Sequence, residues 1–449
     1  MRRALAAFCA LLLRIFFRRI EVVGLHHVPD SGAVLFAGNH ANGLLDPLML
    51  LCLGPRPVSF LAKEPLFRMP LVGWFVRAFE CLPVYRAQDG ADPAKNRAML
   101  GRARELLGRG NALALFPEGT SHSDPTLRPF KTGAARLALS ARALGPDPVH
   151  LVPLFLYYES KETFRSRAVL AFGPPLTVPS VPVDAAGSPS REAASELTGQ
   201  LRAAIESIAP TAESVEALFL AEQAERLLDV TSGMERQATG SLARRMSERR
   251  RLLDAYPRLL ELEPERTARA VEQLAALARE FERRRIRIDA GAPEGRSEAG
   301  ALLRQVLVLV PLAPLGAAGA LLHAPAYYLI RWLAARYSGT ETDVLATTKL
   351  VGGLLLFPLS WCVLSLALLP TFGSVGALAA LGLGPLLGSS ALVTLDVLGW
   401  FTLRRQHRSA SRSLDFVELR ARRELVGAEL RSILELLGPN EGASTHPPR

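Results

Sequence analysis

Residues 350–403 form an apolar stretch that constrains the fold of this 449-residue chain more than any other segment. The stretch contains one acidic residue, Asp396, and no basic residue. Its length suits two membrane spans of about 20 residues each, because the hydrocarbon core of a bilayer is about 30 Å thick. Residues 370–374, which include Pro370 and Gly373, are expected to form the turn between the spans. The sequence therefore predicts a membrane hairpin.

Basic residues on both sides of this stretch predict its orientation. Lys349 precedes it, and the residues that follow it include Arg404, Arg405, Arg408 and Arg412. Cytoplasmic loops of membrane proteins are enriched in lysine and arginine, so both ends of the hairpin are expected to face the cytoplasm.

Residues 306–330 form a further apolar run, with Pro311 and Pro314 in its middle and a cation at each end. Proline removes a helical hydrogen bond and bends a helix. A kinked re-entrant hairpin is the preferred interpretation, because a single span would place the two basic ends on opposite sides of the membrane. A single span is the alternative.

Residues 1–20 combine an apolar run with arginines at its front, in its later part and at its end. A secretory signal carries its charges only at the front, so this pattern does not fit one. A helix in the membrane interface is expected, with the arginines at lipid phosphates and with Phe16 and Phe17 among the acyl chains. The alternative is an amphipathic helix that packs on the soluble domain.

A histidine and a carboxylate follow an apolar segment that is typical of a buried strand. Residues 33–37 are apolar, His40 comes shortly after them, and Asp46 lies six positions beyond His40. Imidazole accepts a proton near neutral pH, and a nearby carboxylate fixes its tautomer and stabilises its charged form. The pair is a candidate general base with its orienting acid. The alternative is a polar loop in which Asp46 caps a helix and His40 is exposed.

The spacing of this pair predicts where each residue lies. Positions six apart on a continuous helix are about 240° apart around the axis, so the two side chains would not meet there. His40 is therefore expected in a loop ahead of the helix, with Gly43 giving the loop the freedom that lets Asp46 reach the imidazole.

Three more strand-like segments accompany this one. Residues 113–116 precede Glu118, residues 81–85 precede Arg86, and residues 149–154 form the fourth segment. In open α/β sheets, binding groups gather where strands end and loops begin. We expect these segments to place their polar ends in one cleft.

In these four segments the sequence resembles the glycerolipid acyltransferases, which include the glycerol-3-phosphate and 1-acylglycerol-3-phosphate acyltransferases. The resemblance covers about residues 20–180 and rests, in chain order, on Asn39, His40, Asp46 and Pro47; on Arg86; on Phe116 to Gly119; and on Val152 and Pro153. Most members have four residues between the histidine and the aspartate, whereas this chain has five. The longer spacing, with Ser121 and His122 after the Pro-Glu-Gly turn, is more similar to fungal-type glycerol-3-phosphate and dihydroxyacetone-phosphate acyltransferases and their bacterial relatives.

The resemblance implies an α/β domain, a mixed sheet flanked by helices, that works in phospholipid biosynthesis. It would transfer an acyl group from acyl-CoA or acyl-ACP to a hydroxyl group of glycerol-3-phosphate or dihydroxyacetone phosphate. His40 would be the general base, oriented by Asp46. The residues implied to bind substrate are Asn39, Arg86, Glu118, Gly119, Thr120 and Lys131. No cofactor or metal ion is implied, because the acyl donor is a co-substrate.

Several of these side chains have ordinary structural alternatives. The guanidinium of Arg86 matches a phosphate group, but a surface salt bridge also explains it. Lys131, Arg128 and Lys63 are each either a contact for phosphate or a surface cation. His122, a single histidine in a polar loop, is expected to be solvated and not catalytic.

Two other functions are open from the sequence. Within the same chemistry, the acceptor is 1-acyl-sn-glycerol-3-phosphate (lysophosphatidic acid) or another lysophospholipid. The alternative of another class is a non-catalytic membrane protein that binds lipid or acts as a scaffold. The joint presence of His40, Asp46, Arg86 and Glu118 argues against that alternative.

The net charge of +10 favours anionic partners, among them anionic membrane lipids and the acyl donor. Nucleic acid is not expected, because the sequence has no nucleic-acid-binding motif and 49% of its residues are hydrophobic. The four cysteines show neither metal-ligand spacing nor a disulfide pattern, which suits a reducing compartment. The expected location is a bacterial inner membrane with the catalytic domain facing the cytoplasm; an organellar membrane is the alternative.

Changes in composition divide the chain into five expected regions. They are a membrane-associated helix at 1–20, the catalytic domain at 21–183, a soluble helical region at 191–298, transmembrane or re-entrant helices at 301–404, and a basic helical tail at 405–449 that ends in a disordered carboxy-terminus. Leucine and alanine recur at helical spacing in 191–298, where no chemistry is predicted.

Overall fold

A computed structural model of the chain describes residues 1–85, 93–122, 124, 126–145, 147–231, 241–284, 286–289, 298–337, 342–410 and 414–438. The chain divides into two compact units. The first is formed by Met1–Thr211 and Leu333–Val351, and the second by Ala212–Trp332 and Gly352–Arg449.

An eight-stranded mixed sheet is the centre of the first unit. Its strands are β1 (Arg19–Val23), β2 (Ala33–Gly38), β3 (Val58–Lys63), β4 (Leu82–Val84), β5 (Ala112–Leu115), β6 (Val149–Tyr158), β7 (Arg167–Phe172) and β8 (Leu176–Thr177). The strand order is β1-β7-β6-β2-β5-β3-β4, with β8 paired to β6. β6 and β7 are antiparallel, whereas β6, β2, β5, β3 and β4 are mutually parallel. The predicted α/β class is confirmed.

Helices cover this sheet and explain why its central strand is apolar throughout. They are α1 (Arg2–Phe16), α2 (Leu45–Leu53), α3 (Glu64–Arg68), α4 (Pro70–Ala78), α5 (Pro93–Gly108), α6 (Gly133–Arg142) and α7 (Arg191–Glu206), and a short 3-10 helix lies at Leu25–His27. All six residues of β2 are buried. A parallel strand that is covered on both faces reads as a continuous apolar run, without the alternation of a strand that has one wet face.

Helix α1 buries one face and exposes the other. Leu13 and Phe16 belong to the same hydrophobic core as the strands and α2. Phe8, Leu11 and Ile15 are exposed. The expectation that Phe16 and Phe17 lie among acyl chains is wrong, because both side chains are buried in this core. The alternative, in which the helix packs on the soluble domain, describes the buried face. Membrane association of the exposed face stays a prediction.

The second unit contains a cluster of amphipathic helices. They are α8 (Val215–Thr231), α9 (Leu242–Leu262), α10 (Pro264–Arg283) and α13 (Leu414–Glu435). Leu227, Leu277, Phe281 and Leu419 are among the buried residues of their shared core. The periodic leucines and alanines of this region supply that core, as an amphipathic pattern predicts.

Two further helices contain stretches that are long and apolar enough to cross a membrane. Helix α11 (Glu298–Tyr337) contains Leu303–Arg336, and α12 (Thr342–Ala410) contains Thr347–Gly399. The second stretch has 53 residues, about 80 Å of helix, which is more than twice the thickness of a bilayer core. Its helical geometry is interrupted at Gly373, within the predicted turn.

The preferred interpretation of residues 306–330 as a re-entrant hairpin is wrong. Helix α11 is continuous through Pro311, Pro314 and Pro325. Each proline removes one backbone hydrogen bond and bends a helix, but neighbouring groups and small local adjustments satisfy the freed carbonyl in apolar helices. A continuous helix agrees with the alternative, a single span, and the crossing of a membrane by this helix stays a prediction.

Candidate active site

The carboxyl ends of five parallel strands lie along one edge of the sheet. β2 is flanked by β6 on one side and by β5 on the other, and β3 and β4 follow β5. The loops after β2 and β5 are therefore adjacent, because neighbouring strands are only about 4.8 Å apart. This common edge is the one that the four sequence segments predict.

His40 and Asp46 are in contact at this edge. His40 lies in the loop after β2, and Asp46 lies in the first turn of α2. The Nδ1 atom of His40 is 2.9 Å from Oδ2 of Asp46. The side chain of Asp46 is fully buried, and that of His40 is 12% exposed. The loop position and the contact that the spacing predicts are both present.

Asn42 gives the loop between the two residues its shape. Its backbone N–H donates to Asp46 Oδ2 at 2.7 Å. Its side-chain Oδ1 accepts from the backbone N–H groups of Leu44 and Leu45, at 3.0 and 2.8 Å, which have no helical partner at the start of α2. The prediction that Gly43 supplies the unusual backbone conformation is wrong, because Gly43 does not adopt a positive φ angle.

Phe116 fixes the plane of the His40 ring. The two ring centroids are 4.1 Å apart, and the planes differ by 5°. The carboxylate of Asp46 accepts from other donors as well, so the proton of the imidazole belongs on Nδ1. Within the residues that the structure describes, Nε2 of His40 has no hydrogen-bond partner. The imidazole therefore presents Nε2 at the edge of the sheet.

Tyr158 is a further partner of Asp46 and was not among the predicted residues. It is the last residue of β6, and its hydroxyl donates to Asp46 Oδ1 at 2.7 Å. Burial, together with the charge and hydrogen bond of Asp46, raises the pKa of Tyr158 well above its ordinary value. The hydroxyl therefore stays protonated and donates. Its place at a strand end is the only sequence signal that marks it.

Glu118 lies in the turn after β5, with its side chain fully buried. Its Oε2 atom accepts from the backbone N–H of His40 at 3.2 Å. Its Oε1 atom is buried and has no hydrogen-bond partner within the described residues. A buried carboxylate oxygen without a donor is unfavourable, so a ligand that supplies a donor here would gain stability.

His122 is buried, which corrects the expectation that it is solvated. Its side chain is 6% exposed, and its Nε2 atom lies 2.5 Å from Glu118 Oε2. The backbone N–H of Asp124 lies 3.2 Å from Nδ1, and Oδ2 of Asp124 lies 3.4 Å from the same atom. The backbone N–H of His122 also donates to the carbonyl oxygen of His40 at 3.0 Å. His122 therefore holds Glu118 and joins the two loops of the site.

Gly119 and Lys131 form the other side of this turn. Gly119 has a φ angle of 78°, a conformation that residues with a Cβ atom rarely adopt. A Cβ atom there would lie 2.8 Å from Nζ of Lys131, so the lysine side chain runs directly over the glycine. Lys131 also donates its backbone N–H to Pro117 at 2.9 Å. Thr120 is partly exposed in the same segment.

The side chain of Asn39 has a structural role at the end of β2. Its side-chain amide donates to the carbonyl oxygen of Leu156 at 2.9 Å and accepts from the N–H of Leu156 at 2.8 Å. It thereby holds the end of β2 against β6. Asn39 also lines a small pocket with Ala41, His122, Asp124, Thr126, Leu127, Phe155 and Thr211. Its predicted contact with substrate stays a prediction.

The cations of the site have different positions. Arg86 lies outside the described residues. Strand β4, which comes before it in the chain, ends at the same edge of the sheet as β2. The ends of these two strands are roughly 14 Å apart, because three strand spacings separate them. Arg128 is exposed and donates to Asp124, and Lys63 ends β3. Lys161, which was not predicted, is buried and donates to the carbonyl oxygen of Ala41 at 2.6 Å.

Residues 19–157 match the protein family described as Acyltransferase. Glycerol-3-phosphate O-acyltransferase 1 of Saccharomyces cerevisiae is 26% identical to this chain over 302 residues, which cover 47% of this chain and 40% of the yeast protein. A chloroplastic 1-acyl-sn-glycerol-3-phosphate acyltransferase of Arabidopsis thaliana is 34% identical over 123 residues, which cover 27% of this chain and 33% of the plant protein.

One solved structure, the 1-acyl-sn-glycerophosphate acyltransferase PlsC of Thermotoga maritima, is 20% identical and has a TM-score of 0.35. That similarity covers 46% of this chain and 78% of the PlsC chain. The matches with three yeast acyltransferases span less than half of each yeast protein: 45%, 40% and 43%.

Proposed function

We propose that this chain, whose residues 19–157 form a domain of the acyltransferase family, transfers an acyl group from a thioester to a hydroxyl group of glycerol-3-phosphate or dihydroxyacetone phosphate. The observation that carries the proposal is the orientation of His40. Asp46 binds its Nδ1 atom, and its Nε2 atom is left to accept a proton. The proposed donor is acyl-CoA or acyl-ACP, and the reaction would belong to phospholipid biosynthesis.

In the proposed reaction, the acceptor hydroxyl gives its proton to His40 Nε2 while its oxygen attacks the carbonyl carbon of the thioester. Asp46 stabilises the imidazolium that forms. When the tetrahedral intermediate collapses, the C–S bond breaks, and the departing thiolate takes the proton from Nε2. The base is then neutral again. The proposal involves no acyl-enzyme intermediate, cofactor or metal ion.

Glu118 is proposed to bind a second hydroxyl group of the acceptor. His122 and the backbone of His40 occupy its Oε2 atom, which leaves Oε1 for a ligand. A hydroxyl donor at Oε1 would satisfy the buried oxygen and would fix the acceptor beside His40. Gly119 and Thr120 would form the backbone of this subsite.

Positive charge near this edge supports binding of the acceptor phosphate. The Lys131 side chain lies on the turn that carries Glu118. The Lys161 amino group contacts the loop that carries His40. Arg86 is proposed as the main phosphate ligand, because a guanidinium binds two phosphate oxygens at once.

Membrane association is proposed for two parts of the chain. The apolar stretches Leu303–Arg336 and Thr347–Gly399 would span the membrane, and the exposed apolar face of α1 would lie in its interface. The basic flank of the second stretch supports a cytoplasmic catalytic domain and contact with anionic lipids. The yeast relatives lend no support to a bacterial inner membrane.

Lysophosphatidic acid is the second candidate acceptor. The match with the Arabidopsis protein, which is named for 1-acyl-sn-glycerol-3-phosphate, supports it. The match with the yeast protein, which is named for glycerol-3-phosphate, extends over more of this chain and supports the first candidate. Both acceptors carry a phosphate and a free hydroxyl, so the same base would serve either.

An acyl-transfer assay tests the proposal. Membranes that contain the full chain are incubated with labelled acyl-CoA or acyl-ACP and, separately, with glycerol-3-phosphate, dihydroxyacetone phosphate and lysophosphatidic acid. We expect labelled product from one of the first two acceptors. Product from lysophosphatidic acid alone would make the second candidate correct. Absence of product with every donor and acceptor would support the non-catalytic alternative.

Two histidine variants control the assay. His40→Ala removes the proposed base, and its rate should fall by about 10²- to 10⁴-fold. His26→Ala removes an exposed histidine of the 3-10 helix between β1 and β2, away from the carboxyl end of β2, and should keep the wild-type rate. Equal product from wild type and His40→Ala would refute the general-base mechanism.

A further inference from the structure

Tyr158 contacts the oxygen of Asp46 that His40 does not use. The tyrosine hydroxyl lies 2.7 Å from Oδ1, whereas His40 Nδ1 and the N–H of Asn42 lie 2.9 and 2.7 Å from Oδ2. Both oxygens of a fully buried carboxylate are thus engaged. The carboxylate cannot rotate away from His40 without breaking its bond to Tyr158.

The hydrogen bond at Oδ1 also changes the charge at Oδ2. A donor on one oxygen of a carboxylate stabilises its ionised form and draws negative charge toward that oxygen. Oδ2 then attracts a positively charged imidazole less strongly. Through this hydrogen bond Tyr158 therefore acts on the interaction between Asp46 and His40.

Other charged and titratable groups surround the pair without contacting the Asp46 carboxylate. They are Glu118, His122, Asp124, Lys131 and Lys161. Glu118 and His122 contact the backbone of His40, and Lys161 contacts Ala41. In the described part of the chain, the carboxylate has hydrogen bonds only with His40, Asn42 and Tyr158. Tyr158 is therefore the titratable group that acts on Asp46 from the side opposite His40.

The tyrosine ring is held independently of its hydroxyl. Phe17 is fully buried, and its ring stacks on that of Tyr158 with the centroids 5.6 Å apart and the planes 25° apart. Phenylalanine at position 158 would keep this contact. The Tyr158→Phe substitution therefore removes one hydrogen-bond donor and little else.

We propose that Tyr158 is a positioning residue for the His40–Asp46 pair and that, through Asp46, it sets the pH at which His40 becomes a neutral base. This inference rests on the proposed function, in which His40 takes the proton of the acceptor.

The test compares full-length wild type and Tyr158→Phe in lipid nanodiscs, with kcat and the acceptor KM measured between about pH 5 and pH 9. In the variant, the acidic limb of the kcat/KM profile should move to higher pH by about half a unit to one unit. We expect kcat near neutral pH to fall several-fold, with the acceptor KM changed by less than about twofold. An unchanged limb would overturn the proposal even if kcat fell, because a general structural defect lowers the rate at all pH values alike.

Tyr157→Phe is the matched control. Tyr157 precedes Tyr158 in β6, so its side chain points to the opposite face of the sheet. The pH profile of kcat/KM for Tyr157→Phe should coincide with that of the wild type. A shift of the limb in Tyr157→Phe equal to that in Tyr158→Phe would also overturn the proposal.

A measurement without turnover separates this inference from the proposed function. Nuclear magnetic resonance of protein labelled at its eight histidines follows the titration of His40, whose signal is assigned by its loss in His40→Gln. A higher protonation midpoint in Tyr158→Phe supports the proposal, and an unchanged midpoint overturns it. If no acceptor is turned over by the wild type, the proposed function fails, and this titration still decides the effect of Tyr158 on the pair.

Discussion

His40 Nδ1 lies 2.9 Å from Asp46 Oδ2 although five residues separate the two. The contact exists because the chain turns sharply between them. Asn42 donates to Asp46 from its backbone and accepts the first amides of α2 with its side chain. The start of the helix and the orientation of the carboxylate therefore depend on one asparagine.

Asn42→Ala should affect both stability and activity. Loss of the side-chain acceptor leaves two amides at the start of α2 unsatisfied, so the free energy of unfolding should fall by about 1 kcal/mol. Activity should fall by about tenfold, as Asp46 becomes less well oriented. Asn42→Ser, which keeps a capping oxygen, should recover most of the stability. Denaturant unfolding and rate measurements on the same samples check this, and equal stability of the two variants would contradict it.

Asp46→Asn should lower kcat by about 10²- to 10⁴-fold while the protein stays folded. The amide keeps the shape of the carboxylate but removes its charge, so neither the tautomer of His40 nor its imidazolium is stabilised. Asp30→Asn, at an exposed carboxylate before β2, is the control and should behave as wild type. A kcat within a factor of about three of wild type would show that the carboxylate does not assist a base.

His122→Ala should raise the KM of the acceptor by about tenfold and leave the KM of the acyl donor unchanged. The substitution removes the hydrogen-bond donor at Glu118 Oε2 and so frees the carboxylate to turn away from the proposed acceptor site. His122→Gln offers a donor at a similar distance and should recover part of the loss. Steady-state kinetics with each substrate varied in turn make the comparison. A rise in the KM of the acyl donor instead would place His122 near the binding site of that donor.

Gly119→Ala should destabilise the protein by about 1 kcal/mol and weaken acceptor binding. The φ angle of 78° is strained for alanine, and the added Cβ atom would displace the amino group of Lys131, 2.8 Å away. Gly133→Ala is the matched control, because Gly133 starts α6 and a Cβ atom there meets nothing within 4 Å. Thermal unfolding of both variants tests this. Equal loss of thermal stability in the two variants would exclude a special role of the turn that contains Gly119.

Gly319→Leu should separate α11 from α12. A Cβ atom at Gly319 would lie 2.0 Å from the carbonyl oxygen of Leu387, which is backbone and cannot turn aside. We expect the free energy of unfolding to fall by about 1–3 kcal/mol. Gly382→Leu adds the same side chain to α12 where nothing lies within 4 Å and should be tolerated. Thermal stability in detergent, followed by size-exclusion chromatography, distinguishes the two variants. Similar midpoints would mean that the two helices do not pack closely in the membrane.

The spacing of His40 and Asp46 predicts that His40 lies in a loop, but it does not identify the residue that shapes this loop. Helical geometry excludes a contact between positions six apart on one helix, and this places His40 in a loop. The same geometry does not say which residue shapes the loop. Gly43 was the predicted one, and Asn42 is the one that forms the hydrogen bonds. Glycine permits a turn, whereas a side chain that accepts the first amides of a helix stabilises one.

His122 and Tyr158 show why the rest of the site could not be predicted from the chain. His122 lies in a polar segment, and polarity predicts exposure; its burial results from Glu118, which removes the cost of burying the ring. Tyr158 lies more than a hundred positions from Asp46 and meets it only because β6 pairs with β2. No local pattern encodes a contact of that kind.

The sequence by itself determined the apolar stretches, the α/β class, the strand-end positions of His40 and Glu118 and the position of Asp46 beyond the His40 loop, because these follow from local hydrophobicity and from the short-range geometry of strands and helices. The tertiary structure decided that α11 is continuous, which oxygen of each carboxylate is occupied, and which distant side chains complete the site. Those properties depend on strand order and on the packing of segments far apart in the chain, and this packing determines which polar atoms find partners.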